Sequence, residues 1–303
     1  MTDEGPGDNS PGPSFISRLW TPPGPLDVRA TLSLHRRGSG DPATRFAPNG
    51  SIWRAVYTPD GPGTLAVSRP DGKDVLGRAW GPGGPWLLEQ MPKMLGSDDN
   101  PDEFVAHHDV IAKLARQGRG LRIGRTDRVW EALAAAVLEQ KVTGAEAWRS
   151  WRYLVTKYGE PAPGAPSMRV PPPQQVWREI PQWEWHASGA EPARRRTIVS
   201  AAGYDVERKA DRLHLLRGIG PWTAAEVRAR AVGDADAVPV GDYHIPSMVG
   251  GTLIGERVDD EGMLELLKPY AGHRYRVIRL IELYMPMPAR RAPRMPTRDY
   301  RNL

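Results

Sequence analysis

Residues 213–226 read LHLLRGIGPWTAAE, with two glycines, Gly218 and Gly220, on either side of one apolar residue, Ile219. A leucine-rich helical pattern runs into this stretch and an alanine-rich one runs out of it. The chain must therefore stop a helix, reverse and start another within about four residues. Glycine is required where the backbone takes positive φ or approaches another group closely. The pair predicts a tight hairpin with Ile219 plugged back between two helices. Pro221 suits a first helical position, where no amide is needed. The amides beyond Gly220 would then point outward at a helix N-terminus, an arrangement that binds phosphate through N–H donors and the helix dipole. Gly-x-Gly also occurs in ordinary helical turns, so the neighbouring residues have to decide.

The rest of the composition narrows the classes. A chain of 303 residues has room for two domains or one large one. It contains no cysteine, which excludes disulfides, zinc–cysteine sites and cysteine-ligated iron–sulfur clusters. No apolar run approaches the roughly 18 residues of a membrane span. The polar start MTDEGPGDNSPGPS lacks the apolar region of a signal peptide, so a cytoplasmic, nucleoid-associated location is expected. The net charge of +5 leans towards a polyanionic partner. Of the 41 cations 34 are arginine, a skew that genomic base composition also produces.

Residues 1–24 are rich in Gly, Pro, Ser and Asp and read as disordered. Between 25 and 100 the segments 27–35, 51–58 and 63–70 alternate apolar with polar residues between turn residues, and predict antiparallel strands. Residues 83–96 predict a helix ending at Gly96. The whole is a small α+β domain. From 101 to 287 the pattern is helical. Val129, Ala132, Leu133, Ala136 and Val137 form one apolar face, and a turn near Thr143 and Gly144 separates two helices, the second ending at Gly159. Pro-rich 161–175 reads as a connector. Further helices are expected at 174–181, 191–202, 206–217, 221–231, 244–249, 260–268 and 272–284. Residues 288–303 read as a basic tail.

The stretch LLRGIGPWTAAEVRARAVGDADAVPVGDYHIP, residues 215–246, resembles the helix-hairpin-helix DNA glycosylases, and most closely the 3-methyladenine DNA glycosylase II branch. The resemblance extends over 125–285, and VLEQKVTG (137–144) is similar to the helix-loop preceding the family's DNA wedge. The implied fold is an N-terminal antiparallel-sheet α+β domain followed by an all-α helix-hairpin-helix glycosylase domain. The implied activity is monofunctional base excision. A damaged purine, N-alkylated as in 3-methyladenine, is flipped out and released by hydrolysis, leaving an abasic site.

The residues give that chemistry a physical basis. Cleaving the base–sugar bond builds positive charge on the sugar, which an ionised carboxylate beside C1′ would stabilise. Asp242, after the Pro239–Gly241 turn, is the candidate. It also suits a helix N-cap. Asp234 and Asp236 read as solvated loop residues. Trp222 stands where bifunctional relatives carry a Schiff-base lysine, so the resemblance implies no lyase step. The extruded base would stack on Trp222, with Trp20 as a further aromatic. The resemblance puts Gly218, Ile219, Gly220, Thr223 and His244 on the DNA backbone. It puts Gln140 and Lys141 at the wedge, although lysine replaces an apolar residue there. Glu226 replaces a pocket aromatic and either favours a cationic purine or faces solvent. Trp148, Trp151, Trp183 and Trp185 read as core or amphipathic surface. The expected partner is damaged double-stranded DNA, bound by a monomer. No divalent metal or organic cofactor is called for, although the family often holds Na+ or K+ in the hairpin through backbone carbonyls. Two alternatives remain open: excision of a deaminated or oxidised base, and a DNA-binding protein that has lost excision.

Overall fold

The computed structural model describes residues 14–286; the basic tail and residues 1–13 lie outside the described part. The N-terminal region is a five-stranded antiparallel sheet in the order β1-β5-β4-β3-β2. Its strands are β1 (Ile16–Trp20), β2 (Thr44–Phe46), β3 (Ile52–Thr58), β4 (Gly61–Ser68) and β5 (Val75–Trp80). Along β3 the side chains alternate between faces. Ile52 and Val56 join a core with Leu65, Val67 and α2 (Gly84–Met94). Trp53, Ala55 and Tyr57 face the other way, onto a second cluster with Met168 and Val170.

Four sequence expectations change here. Residues 16–20 are not disordered. They pair with β5 from Ile16↔Ala79 to Trp20↔Val75, because the Gly/Pro-rich composition gives way to alternating FISRLW. Residues 27–35 are not a strand. Asp27 accepts the Ala30 amide at 2.9 Å and starts a short helix, α1 (Val28–Leu32), that runs on as a 3-10 turn. The connector at 161–175 contains a hairpin, β6 (Glu160–Ala162) and β7 (Ala165–Val170). A Pro163–Gly164 turn closes it, with Gly164 at φ +70°. A Cβ at Gly164 would meet the Trp80 ring at 2.3 Å, so the turn lies flat on the sheet's aromatic residue.

The fourth change is the element ahead of the glycine hairpin. The expected α-helix at 206–217 is only a 3-10 stretch, Ala210–Leu215. At three residues per turn, Ala210, Leu213 and Leu216 fall in line and pack onto the main helical core.

That core is built on α4 (Val129–Glu139), whose residues from Val129 to Leu138 are all buried except Glu131. Around it pack α5 (Gly144–Tyr158), α6 (Gln174–Glu179), α7 (Gln182–Ser188), α8 (Pro192–Ala201) and α9 (Pro221–Val227). Trp151, Trp177 and Trp185 stack inside, while Trp148 and Trp183 are exposed. A second core joins α3 (Asp109–Gln117) to α10 (Ile245–Leu253), α11 (Asp260–Leu267) and α12 (Arg274–Tyr284). Among the described residues no helix is long and apolar enough to cross a membrane.

The loop between α9 and α10 is docked rather than solvated. Asp236 accepts from the Gly272 and Arg274 amides and from the Arg274 guanidinium. Burial alone would raise its carboxyl pKa, but these hydrogen bonds outweigh burial and hold it below the ordinary value. Asp234 pairs with Arg228.

Candidate active site

The hairpin forms as its glycines require. Gly218 has φ +87°, and a Cβ there would lie 2.2 Å from Thr197 Oγ1. Ile219 is buried at 4% exposure, and its amide is spent on Leu216 O at 3.0 Å. Gly220 is exposed and extended, with open space where a Cβ would go. Pro221 opens α9. The first amides of a helix have no intrahelical acceptor, so the unspent donors of the hairpin are those following Gly220.

The loop after α4 lies against this turn. Gln140 Nε2 donates to Gly218 O at 2.9 Å and to Thr223 Oγ1 at 2.8 Å. These bonds fix where both side chains lie. Gln140 latches the hairpin to the loop after α4. Thr223 is 2% exposed, its hydroxyl turned inward to Gln140. Lys141 stays exposed, at φ +53°. A positive φ in a non-glycine residue is strain that functional loops carry. Thr143 and Glu146 form a reciprocal capping box that starts α5 directly behind it.

Trp222 and Asp242 meet. The indole Nε1 donates to Asp242 Oδ2 at 2.9 Å. The other carboxylate oxygen accepts the amides of His244 at 2.7 Å and Ile245 at 2.9 Å, which tethers it to the start of α10. The N-cap position itself falls on His244, two residues after Asp242, so Asp242 braces the helix start through one oxygen and turns the other to the indole. Both residues are half-buried, so the carboxylate stays reachable from solvent. His244 is exposed and edge-on to Tyr243, with centroids 4.8 Å apart. Tyr243, 86% exposed beside Asp242, went unnoticed in the sequence, where only its place between an acid and a histidine marks it. His214 and Arg217 are exposed on the approach to the hairpin.

Glu226 does not face solvent. It is 7% exposed and paired with Arg230 one turn on. Trp20 is not brought to Trp222; it packs on the sheet core. The N-terminal residue that reaches the α9 region is Leu34, whose carbonyl accepts from Arg230 Nε at 3.4 Å. Beside it His35 is buried. Burial, then the charges of Arg54, Arg37, Arg230 and Arg279, push its pKa well below 6.5.

A monovalent cation at the hairpin would be held by backbone carbonyls. Leu216 O and Gly218 O each already accept one hydrogen bond, and each keeps one lone pair, which fits a weakly held ion.

The structure aligns with the 3-methyladenine DNA-glycosylase from Archaeoglobus fulgidus at a TM-score of 0.73 and 16% identity, over 88% of this chain and 98% of that one. It aligns with the Clostridium acetobutylicum 8-oxoguanine glycosylase/lyase, solved with double-stranded DNA, at 0.68 and 12%, over 86% and 91%. The fold is that of the helix-hairpin-helix DNA glycosylases. Within this glycosylase fold, the two solved structures carry different printed activities. In sequence, 169 residues are 32% identical to the probable bifunctional transcriptional activator/DNA repair enzyme AlkA of Mycobacterium tuberculosis. That match spans 50% of this chain and only 33% of the relative. No family model matches the chain.

Proposed function

We propose that the protein is a monofunctional DNA glycosylase that extrudes and hydrolytically releases N-alkylated purines such as 3-methyladenine. The Trp222–Asp242 hydrogen bond carries this reading. It sets an aromatic face and a carboxylate side by side, next to a hairpin with outward amides. Position 222 holds an indole where the bifunctional relatives would need an amine, so no Schiff base forms there and the strand stays uncut. The printed name of the similar Archaeoglobus fulgidus glycosylase supports the substrate class.

The chemistry follows from charge. An N3- or N7-alkylated purine nucleotide is cationic, and a π face attracts it. When the C1′–N bond breaks, the base leaves with the bonding pair as a neutral molecule and needs no proton. The charge passes to the sugar, where Asp242 stabilises it. Water adds to C1′ and gives up its proton to Asp242 or to solvent. The abasic product remains in the duplex.

The test is base release from duplexes carrying 3-methyladenine, 7-methylguanine, hypoxanthine, uracil or 8-oxoguanine, for the wild type and Asp242→Asn. Release of an alkylated purine that needs Asp242, with strand breaks only after alkali, is expected. Release at the wild-type rate by Asp242→Asn would remove the carboxylate from the mechanism. Damage-dependent binding with no release from any duplex would point instead to a DNA-binding protein.

A further inference from the structure

The 3-10 stretch ahead of the hairpin sets a particular surface beside it. Amides at three-residue intervals close the chain there. Arg212 N donates to Lys209 O, Leu216 N to Leu213 O and Ile219 N to Leu216 O, each at 3.0 Å. At three residues per turn the side chains fall into straight rows. Ala210, Leu213, Leu216 and Ile219 make the row that meets the main helical core. Asp211, His214, Arg217 and Gly220 make a second row, all of them exposed. Lys209, Arg212, Leu215 and Gly218 make a third, also exposed.

The winding decides where Arg217 lies. At 3.6 residues per turn, residue 217 would come round almost two full turns after Ala210 and land on the buried face. The tighter wind keeps Arg217 out of the core, in line with Gly220 and one turn back from the amides that follow it. Each step along a row advances about 6 Å, from a rise of about 2 Å per residue. That is close to the interval between neighbouring phosphates on one strand. Ion pairs do not use these cations up. Among the described residues Arg217 and Lys209 have no carboxylate partner. Arg212 meets Asp211 only at 3.6 Å, with both side chains well exposed, and such a pair contributes little in water. Leu215 lies between them, 70% exposed. An uncovered apolar residue among free cations suits a surface that a sugar–phosphate backbone covers.

We infer that this stretch is a second backbone grip, in which Arg217 takes the phosphate next to the one at the amides after Gly220, and Arg212 and Lys209 take the two beyond it. The inference rests on the DNA-binding reading of the hairpin and extends it to side chains. The hairpin would hold phosphate through neutral amides, whereas each arginine or lysine set on a phosphate displaces condensed counterions. Salt dependence therefore reports on these side chains separately from the hairpin. Phosphate contacts carry no sequence information, so the grip serves damaged and intact duplexes alike. That suits an enzyme that has to search intact DNA before it meets a lesion.

The experiment is titration of the full chain against a labelled undamaged duplex across about 50–200 mM salt, with the slope of log K on log salt as the readout. Arg217→Gln, Arg212→Gln and Lys209→Gln should each flatten the slope by about 0.9, and their effects should add. Lys73→Gln, in the turn between β4 and β5, should leave the slope unchanged. Asp211→Asn lifts a carboxylate from the same surface and should tighten binding about two- to fivefold, a gain that misfolding cannot mimic. Slopes equal to wild type in all three cation variants would overturn the inference and leave the hairpin grip standing. So would an equal flattening in Lys73→Gln, which would make the effect one of net charge. Absence of wild-type binding at every salt concentration would overturn the DNA-binding reading as well.

Discussion

The two hairpin glycines have different jobs, and alanine substitution separates them. At Gly218 the backbone has φ +87°, which costs an L-residue roughly 1–2 kcal/mol. A methyl group there also lies 2.2 Å from Thr197 Oγ1 and 3.0 Å from its Cγ2. Thr197 is buried, and its hydroxyl donates to Ala193 O at 3.1 Å. Swinging it aside gives up that bond, worth about 1 kcal/mol. Gly218→Ala should therefore destabilise the protein by about 2–3 kcal/mol. In a Thr197→Ala background about 1 kcal/mol of that should return, because the two sites are in contact. Gly220 is the opposite case. Its φ of −86° suits any residue and no atom lies within 4 Å of the added carbon. Gly220→Ala should leave stability unchanged or raise it by about 0.4–1 kcal/mol through the unfolded chain. If the amides after Gly220 hold a phosphate as proposed, it should weaken binding to any duplex, since the methyl group fills the space beside them. Urea midpoints at constant slope and titration of an undamaged labelled duplex read the two effects. If both variants lose stability alike, or if Gly220→Ala binds DNA as wild type does, the division of roles is wrong.

Three further outcomes are expected. Gln140→Leu leaves Gly218 O and Thr223 Oγ1 without their donor, so it should lower base release and DNA affinity together, with stability down by about 1–3 kcal/mol in urea unfolding. His35 is neutral when folded and takes up a proton when unfolded, so the unfolded state binds more protons below about pH 6.5. Stability should then fall by about 1.4 kcal/mol per pH unit on acidification from there, and the slope should flatten in His35→Phe. Asp236 has a depressed carboxyl pKa, so its contribution is present above the unfolded value of 3.8 and is lost as pH falls through the lower folded value. Asp236→Asn should remove that contribution at neutral pH, about 1.5–3 kcal/mol, as measured by thermal unfolding.

What could be read from the sequence was local. The Gly-Ile-Gly-Pro turn, the strand pattern of 51–58 and the helix 83–96 depend on residues that touch their own neighbours, and each appears where the chain implies. Trp222 and Asp242 were paired through resemblance, and the hydrogen bond between them gives that pairing a geometry. Contacts across long separations could not be read. Nothing local shows Gln140 spanning 78 and 83 residues to the hairpin, nor Thr223 turning inward to meet it. Trp20 looked free to join the site because its strand partner, β5, lies some fifty residues on. The Glu226–Arg230 pair is a different kind of miss. Its four-residue spacing is visible in the sequence, but the burial of Glu226 and the bond from Arg230 to Leu34, 196 residues away, are not.

The position of the site between the two helical cores also sets a timetable. Trp222 packs on the core around α4, whereas Asp242 is tethered to Ile245, which belongs to the core that α12 completes. That second core unites α3 with α10, α11 and α12, elements more than a hundred residues apart in the chain. During synthesis α3 leaves the ribosome with its partners still unmade, and the carboxylate has no rigid support until residues near 284 have emerged. The indole and the carboxylate therefore come together only once both cores exist, so a chain truncated before α12 should keep the hairpin turn and lose the Trp222–Asp242 contact.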